Sequence, residues 1–224
     1  LNLFGYTGGA TLACAAAGAT VCHVDASKGI VAWGKDNAAA SGLADRPIRW
    51  LVDDCAKFVA REKRRGNTYD GIIMDPPSYG RGPGGEIWKL EDCIYDLISQ
   101  CEEVLSDTPL FFAVNSYTTG LSPAVMEYML KTTLVPRFGG KTSCDEIGLP
   151  VSATGGVVPC GATAIWEENN SFRHRFANHL PLGGRQKGPL AEGAGCEADG
   201  GSSENGVQPF EKAHHRKEKT QMKE

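Results

Sequence analysis

The sequence predicts an α/β fold, namely a Rossmann-like sheet of seven mostly parallel strands with helices on both faces and a C-terminal antiparallel hairpin. First, short apolar runs alternate with helical patterns from Leu1 to Trp166, and this alternation is typical of parallel sheets. Second, the last two apolar runs are joined by a Gly- and Pro-containing stretch over 148–159 without a helical pattern, which favours antiparallel pairing. Third, Ser27 and Asp54 precede two helical patterns, where N-caps are expected.

Each apolar run has the length of one strand. We expect strands at Leu1–Phe4, Thr20–Asp25, Ile48–Val52, Tyr69–Asp75, Pro109–Ser116, Lys141–Ile147 and Gly161–Trp166. We expect helices at Gly9–Ala17, Ser27–Ser41, Asp54–Arg65, Lys89–Leu105 and Pro123–Thr133. After Glu168 the alternation stops, and the composition of residues 169–224 buries too little apolar surface to offset chain entropy. We therefore expect one domain over 1–168 and a disordered tail over 169–224.

Composition and charge narrow the class of protein. Of the 224 residues, 41% are hydrophobic, which suits one globular domain, and no run approaches the roughly 18 apolar residues of a membrane span. The eight cysteines contain no C-x-x-C pair and no metal-ligand spacing, so we expect reduced, mostly buried thiols and no metal. Residues 1–168 carry a net charge of −6 and residues 169–224 one of +2. Because an acidic domain is a poor clamp for nucleic acid, an RNA substrate would need a local basic face or another domain.

Three positions that follow predicted strands point to a nucleotide cofactor. The run Leu1–Gly9 leads from a strand into a glycine-rich turn, and glycines let the backbone approach a ligand closely. Asp25 ends the second strand, where a carboxylate can accept both hydroxyls of a ribose. Asp53 and Asp54 follow the third strand, where an acid can accept the exocyclic amine of adenine. Because ligands of open α/β sheets bind at the carboxyl ends of the strands, the joint pattern predicts a cofactor site there.

The glycine spacing and the end of the fourth strand narrow the cofactor further. The turn reads G-x-x-G-G, which disfavours a dinucleotide, and the chain contains neither a P-loop nor a nucleophile-elbow motif. The fourth strand ends in Asp75-Pro76-Pro77-Ser78-Tyr79. Its two prolines fix φ and stiffen the backbone where the chain leaves the sheet.

With these motifs in place, residues 1–168 resemble a class I S-adenosylmethionine-dependent methyltransferase. Leu1–Gly9 is similar to the glycine-rich cofactor motif, His23-Val24-Asp25 to the ribose-binding motif and Asp53-Asp54 to the adenine-side motif. Asp75–Tyr79, with Trp88-Lys89-Leu90 downstream, resembles a bacterial-type subgroup of 23S ribosomal RNA methyltransferases. The chain departs from the pattern at Asn2, where many class I enzymes place Asp, and the segment that precedes the first strand in that subgroup is missing.

The resemblance implies S-adenosylmethionine as the cofactor, RNA (ribosomal) as the partner, and neither a metal nor a membrane. It implies that the catalytic residues are Asp75, Pro76, Pro77 and Tyr79. It implies that the cofactor-binding residues are Asn2, Phe4, Gly5, Tyr6, Thr7, Gly8, Asp25, Ala26, Ser27, Asp53, Asp54, Cys55 and Asp75. We also expect that an upstream RNA-binding segment is missing, and that the protein is cytoplasmic, or organellar if the organism is eukaryotic.

The residues after the fifth strand bear on the acceptor chemistry. Methylation at cytosine C5 needs a cysteine nucleophile, and related enzymes place one just after this strand. Here the run is Val114-Asn115-Ser116-Tyr117, so we expect direct, non-covalent transfer, preferably to a nitrogen, with Asn115 or Ser116 lining the acceptor pocket. Tyr79 is suited to stack on a base, and Gly80–Gly85 is interpreted as a mobile loop over the site.

Two alternatives remain open from the sequence. In the first, the substrate is a small molecule or a protein, and the acidic charge of residues 1–168 favours this class modestly. In the second, the chain is a non-catalytic truncated remnant, which the missing upstream segment favours.

Overall fold

A central seven-stranded sheet organises the part of the chain that the computed structural model describes, which is residues 1–81, 85 and 87–169. The sheet contains β1 (Asn2–Leu3), β2 (Val21–Asp25), β3 (Ile48–Val52), β4 (Gly71–Met74), β7 (Phe111–Ser116), β8 (Lys141–Pro150) and β9 (Val157–Glu167). A separate antiparallel pair contains β5 (Tyr79–Arg81) and β6 (Ile87–Lys89). The sheet order is β3-β2-β1-β4-β7-β9-β8. The first five strands of this order are parallel and β9 is antiparallel to both neighbours, which confirms the predicted fold class.

Helices connect the parallel strands. They are α1 (Gly9–Ala16), α2 (Lys28–Ala40), α3 (Cys55–Arg65), α4 (Leu90–Glu102) and α5 (Pro123–Phe138). Both predicted N-caps are confirmed: Ser27 Oγ accepts the backbone N–H of Ile30 at 3.4 Å, and Asp54 Oδ1 accepts that of Lys57 at 2.9 Å. Since a side-chain cap satisfies an orphan donor of the first turn, the sequence sets where α2 and α3 begin.

The core lies between the sheet and the helices. Its largest fully buried side chains include Trp166, Phe58 and Phe112. Most of β2 is buried, from Val21 to Val24, as expected for a central parallel strand that is covered on both faces.

The strand register aligns the residues that end the strands. Leu3 is the register partner of both Val24 and Met74, and Met74 is the partner of Val114. The residues that follow Val24, Leu3, Met74 and Val114 therefore lie at one level of the sheet. Asn115, the last of them, pairs with Thr163 in β9, which pairs in turn with Asp145 in β8. We call this line the carboxyl-edge row, and it consists of Asp25, Phe4, Asp75, Asn115, Thr163 and Asp145.

The C-terminal hairpin is longer than predicted. The stretch over 148–159 was expected to be a connection, but β8 continues to Pro150 and β9 already begins at Val157. A register shift between Glu146 and Gly148 marks a bulge. Glycine and proline are tolerated here because β8 is an edge strand, where a bulge or a missing N–H breaks no interior ladder.

Other boundaries also differ from the sequence-based expectation. The pair β5–β6 was not predicted, and α5 continues past Thr133 to Phe138 with Pro136 in its last turns. A proline so near the C-terminus of a helix removes one hydrogen bond but leaves the preceding turns intact. The predicted tail lies outside the described residues from 170 onward, as do residues 82–84 of the predicted loop at Gly80–Gly85. Gly80 and Arg81 of that loop belong to β5 instead.

A buried carboxylate stabilises the opposite, amino end of the sheet. The Glu62 side chain is 1% exposed and accepts hydrogen bonds from Arg65 at 3.0 Å, Asn67 at 2.9 Å and the Tyr69 hydroxyl at 2.7 Å. Burial alone would raise the pKa of Glu62, but these donors, with Arg49 nearby, hold it below its usual value. The ion is therefore fixed as a structural link between α3 and the start of β4.

The cysteines are free thiols in the described residues. Cys22, Cys55 and Cys101 are buried, and burial raises the pKa of each. Cys196 lies outside the described residues. Within residues 1–81, 85 and 87–169, no cluster of metal-ligating side chains occurs and no helix combines the length and apolar character that a bilayer crossing requires.

Candidate functional site

A cavity of about 510 Å³ opens at the carboxyl ends of the parallel strands. Its volume lies within the usual range of small-molecule and cofactor sites. In the described part of the chain it is lined by Phe4, Tyr6, Asp25, Ala26, Asp54, Cys55, Ala56, Asp75, Pro77, Gly80, Arg81, Trp88 and Tyr117. The first three members of the carboxyl-edge row, from β2, β1 and β4, are on its wall.

The turn after β1 has an unusual backbone. Phe4 and Tyr6 have positive φ values of 55° and 47°, which cost roughly 1–2 kcal/mol for each non-glycine residue. Three hydrogen bonds hold the turn: Phe4 N–H to Cys55 Sγ at 3.3 Å, Gly5 N–H to the Val24 carbonyl at 3.0 Å and Tyr6 N–H to Asp25 Oδ2 at 3.0 Å. The strained turn therefore depends on contacts with β2 and α3.

Asp25 is held by two backbone donors. Its Oδ2 accepts the Tyr6 N–H and its Oδ1 accepts the Ser27 N–H at 2.9 Å. A carboxylate has about four acceptor sites, so two remain for a ligand in the cavity. The two bonds fix the orientation of the carboxylate, which is what recognition of a diol requires.

The two acids after β3 have different environments. Asp54 lines the cavity while its Oδ1 caps α3. Asp53 forms an ion pair with Arg61 and is not on the cavity wall of the described residues. Cys55, next to Asp54, lines the cavity as a protonated thiol, because burial raises its pKa far above the usual value.

Asp75 contacts the neighbouring strand β7. Its Oδ1 accepts a hydrogen bond from Asn115 Nδ2 at 2.9 Å, and Asn115 Oδ1 accepts one from the Thr163 hydroxyl at 3.0 Å. The exposed Asp75 side chain lies on the cavity wall, and Pro76 beside it is buried. The structure thus joins Asp75 to Asn115, one of the two residues that the sequence suggested for the acceptor side, whereas Ser116 is buried.

The β5–β6 ribbon covers one side of the cavity. Trp88 in β6 donates its indole N–H to the Pro77 carbonyl at 2.7 Å, and its ring lies 5.2 Å from the Phe4 ring. Tyr79 is 52% exposed and is not on the cavity wall of the described residues, while Arg81 is. Trp88 therefore ties the ribbon to both the glycine-rich turn and the double proline.

A buried polar chain supports the turn from below. Asn2 Nδ2 donates to Thr11 Oγ1 at 2.8 Å, and Thr11 Oγ1 is 2.9 Å from His23 Nδ1. Trp50 packs on the imidazole at 4.6 Å between ring centroids. Burial lowers the pKa of His23, and the nearby Asp25 carboxylate offsets only part of that effect. Asn2 thus faces this chain rather than the cavity.

The cavity brings together about half of the predicted site residues. Those on its wall are Phe4, Tyr6, Asp25, Ala26, Asp54, Cys55, Asp75 and Pro77. Those off the wall, in the described part of the chain, are Asn2, Gly5, Thr7, Gly8, Ser27, Asp53, Pro76 and Tyr79. Ala56, Trp88 and Tyr117 line the cavity without having been predicted as site residues. Tyr117 had a signal, since it is an aromatic residue directly after a parallel strand, whereas Ala56 had none.

The comparison with protein families identifies the chain. The model of the S-adenosylmethionine-dependent methyltransferase family matches residues 1–115, which include the glycine-rich turn, Asp25, Asp54 and Asp75. The chain belongs to this family. S-adenosylmethionine is accordingly its cofactor.

Methyltransferases from bacteria are similar to this chain over most of the described region. Ribosomal RNA large subunit methyltransferase K/L of Shewanella baltica (strain OS155) is 33% identical over 159 residues, which cover 67% of this chain and 20% of the relative. The protein of the same name from Marinobacter nauticus is 35% identical over 119 residues, which cover 52% of this chain and 16% of the relative. The chain thus spans about a fifth or less of the length of these curated relatives.

Solved methyltransferases have a similar fold. An S-adenosylmethionine-dependent methyltransferase from Agrobacterium tumefaciens is 40% identical, with a TM-score of 0.70 over 74% of this chain and 55% of that one. A second methyltransferase, solved with SAH bound, is 25% identical, with a TM-score of 0.57 over 74% of this chain and 44% of that one.

The cavity fits the cofactor of the family. Its volume lies in the range of cofactor sites, and Asp25 presents free acceptor sites for a diol. Burial lowers the pKa of His23, so the imidazole that lies against Gly5 is neutral and adds no charge to the turn. The acceptor sites on Asp25 and the volume of the cavity agree with a nucleoside-containing ligand.

Proposed function

We propose that this methyltransferase domain transfers a methyl group to ribosomal RNA, directly and without a covalent enzyme intermediate. The observation that carries the proposal is the carboxyl-edge row: Asp25, Phe4 and Asp75 stand side by side on the wall of one cavity. A ribose ligand and a proton-bearing acceptor would thus have acidic partners on either side of β1, on the wall of the same cavity.

The cofactor half of the cavity would be formed by the turn and the strands β2 and β3. Asp25 would accept the ribose hydroxyls, Asp54 would accept the adenine amine, and Phe4, Cys55 and Ala56 would provide apolar surface for the base. When bound, the cofactor supplies an electrophilic methyl group on a sulfonium. The protein therefore mainly has to hold an acceptor in line with it, roughly 3–3.5 Å away.

The acceptor half would be formed by Asp75, Pro77, Arg81 and Tyr117. Asp75 would accept a hydrogen bond from an N–H group of the acceptor, which favours a ring or exocyclic nitrogen over carbon. Tyr117, which is 58% exposed, would stack on an extruded base, and so would Tyr79, which lies on the ribbon and off the cavity wall of the described residues. Pro76 and Pro77 would keep the Asp75 backbone rigid while the acceptor binds.

The state of the thiols supports direct transfer. Cys55 is the cysteine on the cavity wall of the described residues, and its raised pKa keeps it protonated near neutral pH. A protonated, hydrogen-bonded thiol is a poor nucleophile. Methylation of a pyrimidine carbon by addition of a cysteine is therefore disfavoured.

An RNA substrate is supported by the names of the relatives, which are ribosomal RNA methyltransferases. It is also supported by Arg81 on the cavity wall, a cation that suits a phosphate or a base plane. A substrate of this kind would place the protein in the cytoplasm with the ribosomes. The acidic charge over 1–168 instead favours a small molecule, so that class is the second candidate.

The test has two steps with different readouts. Calorimetry of the 224-residue chain with S-adenosylmethionine tests the cofactor site, and absence of binding would reject the site. Labelled cofactor is then incubated with unmodified large-subunit ribosomal RNA made by transcription, and separately with low-mass cell extract. Label on an RNA nitrogen after nucleoside digestion supports the proposal, whereas label only in the extract favours the second candidate. Binding without any transfer would favour a non-catalytic remnant.

The variant that tests the role of Asp75 in the transfer step is Asp75→Asn. It removes the carboxylate charge but keeps the shape of the side chain. We expect cofactor affinity within about threefold of the wild type and at least about a tenfold loss of turnover.

A further inference from the structure

Asp75 is held by a chain of hydrogen bonds that runs through the next two strands of the sheet, β7 and β9. Asn115 in β7 bonds to it directly at 2.9 Å, and Thr163 in β9 bonds to Asn115 at 3.0 Å. Asn115 and Thr163 are register partners in the antiparallel β7–β9 ladder, so their side chains lie on the same face of the sheet. The three residues form a continuous polar chain along the carboxyl-edge row.

The chemistry of the three groups gives this chain one direction. An ionised carboxylate can only accept hydrogen bonds, so the NH₂ group of Asn115 must face Asp75. The amide oxygen of Asn115 then faces β9 and can only accept, so the Thr163 hydroxyl must donate to it. The two bonds have the same polarity, so Asp75 selects the NH₂ end of the Asn115 amide and Thr163 holds the other end of that amide in place.

We propose that Asn115 and Thr163 are positioning residues that fix the Asp75 carboxylate, so that Oδ1 is occupied and Oδ2 is presented to the acceptor N–H. This assignment rests on the proposed function, in which Asp75 contacts the acceptor. Asn115 and Thr163 act through Asp75 rather than on the substrate.

The placement explains why an exposed carboxylate can be ordered. Asp75 is exposed, directly follows β4 and lies on the cavity wall. Asn115 and Thr163 are half-buried within ladders of six paired positions between β7 and β9. An orientation set by a strand interior is more precise than one set by a loop, and small misplacements of a catalytic group have large effects on rate.

The decisive variant is Thr163→Val, which keeps the side-chain shape and removes the donor. Without that donor the Asn115 amide is held only by its bond to Asp75, so the amide and the carboxylate both lose the restraint from β9. We expect turnover on transcribed large-subunit ribosomal RNA to fall about tenfold, with the KM for S-adenosylmethionine unchanged. Thr163→Ser retains a hydroxyl and is expected to restore most of the turnover.

Thr142→Val is the matched control. Thr142 in β8 also donates its hydroxyl to a side-chain oxygen, Glu127 Oε1 at 2.9 Å, but it is not on the cavity wall of the described residues. Like Thr163→Val, the Thr142→Val substitution removes one threonine hydroxyl from the β8–β9 hairpin. We expect its turnover to equal that of the wild type, which separates loss of orientation from a general weakening of the hairpin.

A second measurement does not depend on turnover. The side-chain NH₂ signal of Asn115 is assigned in an isotope-labelled 224-residue chain by its loss in Asn115→Asp. We expect its hydrogen exchange to accelerate about tenfold in Thr163→Val and to stay unchanged in Thr163→Ser and Thr142→Val.

The outcomes are distinct. If Thr163→Val matches the wild type in both turnover and amide exchange, the positioning role is wrong. If the wild type transfers nothing to RNA, the proposed function fails, and the amide exchange alone then decides whether Thr163 orients Asn115: acceleration in Thr163→Val supports the chain of contacts, and unchanged exchange overturns it.

Discussion

The imidazole of His23 occupies the space in which a side chain on Gly5 would stand. A Cβ added to Gly5 would lie 2.5 Å from His23 Nδ1, although Gly5 does not have a positive φ. The glycine is therefore required by the close approach of β2 rather than by its own backbone conformation.

Gly5→Ala is expected to weaken cofactor binding because either the turn or His23 must move. Overpacking of this kind costs roughly 1–3 kcal/mol, and a cost of that size in the bound turn corresponds to about a 5- to 150-fold rise in the Kd for S-adenosylmethionine measured by calorimetry. Gly9→Ala is the control, since a Cβ there meets no atom within 4 Å. Equal affinities for the two variants would contradict the role given to the Gly5–His23 contact.

Asp54 and Asp53 are adjacent but are expected to differ in their effect on the cofactor. Asp54→Ser removes the carboxylate from the cavity and keeps a capping side chain for α3, so we expect about tenfold weaker binding of S-adenosylmethionine. Asp53→Ser removes only the partner of Arg61 and should leave the Kd within about twofold, because Asp53 is not on the cavity wall of the described residues. Calorimetry on both variants checks this, and a larger effect at Asp53 would place the adenine-side acid there instead.

The stability of the fold is expected to fall in mild acid through His23. Burial lowers the pKa of His23 in the folded chain, whereas in the unfolded chain it is about 6.5. The unfolded chain therefore binds the proton first, so the free energy of unfolding should decrease as the pH drops below about 6.5. Urea unfolding at a series of pH values measures this slope.

His23→Gln is the comparison for that slope. Glutamine keeps a polar group near Thr11 but does not titrate. The variant should be less stable near pH 8 and should lose much of the dependence between about pH 5 and 7. An unchanged slope would show that another group is responsible.

Glu62 is expected to act in a lower pH window. Its pKa is lowered in the folded chain, so its contribution is present above about pH 4.3 and is lost as the pH falls below that value. Tyr69→Phe removes a donor to this buried ion and should destabilise the chain by about 1.5–3 kcal/mol at pH 7. The same substitution should cost clearly less near pH 3 in urea unfolding, and Tyr128→Phe, at a tyrosine that is 67% exposed, should cost little at either pH.

The sequence predicted the parallel part of the fold well because local signals agree there. The end of β3 at Val52 and the caps at Ser27 and Asp54 follow from apolar runs and from polar residues that satisfy free N–H groups. The family motifs also predicted which strand ends meet in one cavity. Asp25, Asp54 and Asp75 reach it because the carboxyl ends of parallel strands share one edge.

The parts that were missed depend on contacts between residues distant in sequence. The N-cap signal marks Asp54 as the start of α3 but does not show that Asp54 lines the cavity while Asp53 pairs with Arg61. Asn2 is turned away from the cavity by its bond to Thr11. The β5–β6 ribbon is three residues per strand, too short for a periodic pattern, and it is fixed by the Trp88 bond to Pro77.

The carboxyl-edge row makes strand alignment and activity inseparable. Side chains alternate between the two faces of a sheet, so a shift of β4 by one residue against β1 and β7 would turn Asp75 to the opposite face and bring Met74 or Pro76 to its level. A partly folded domain whose strands are paired in the wrong alignment would thus keep its secondary structure and lose the whole site at once. Cofactor binding is consequently a direct assay of whether the sheet has assembled correctly, which circular dichroism cannot report.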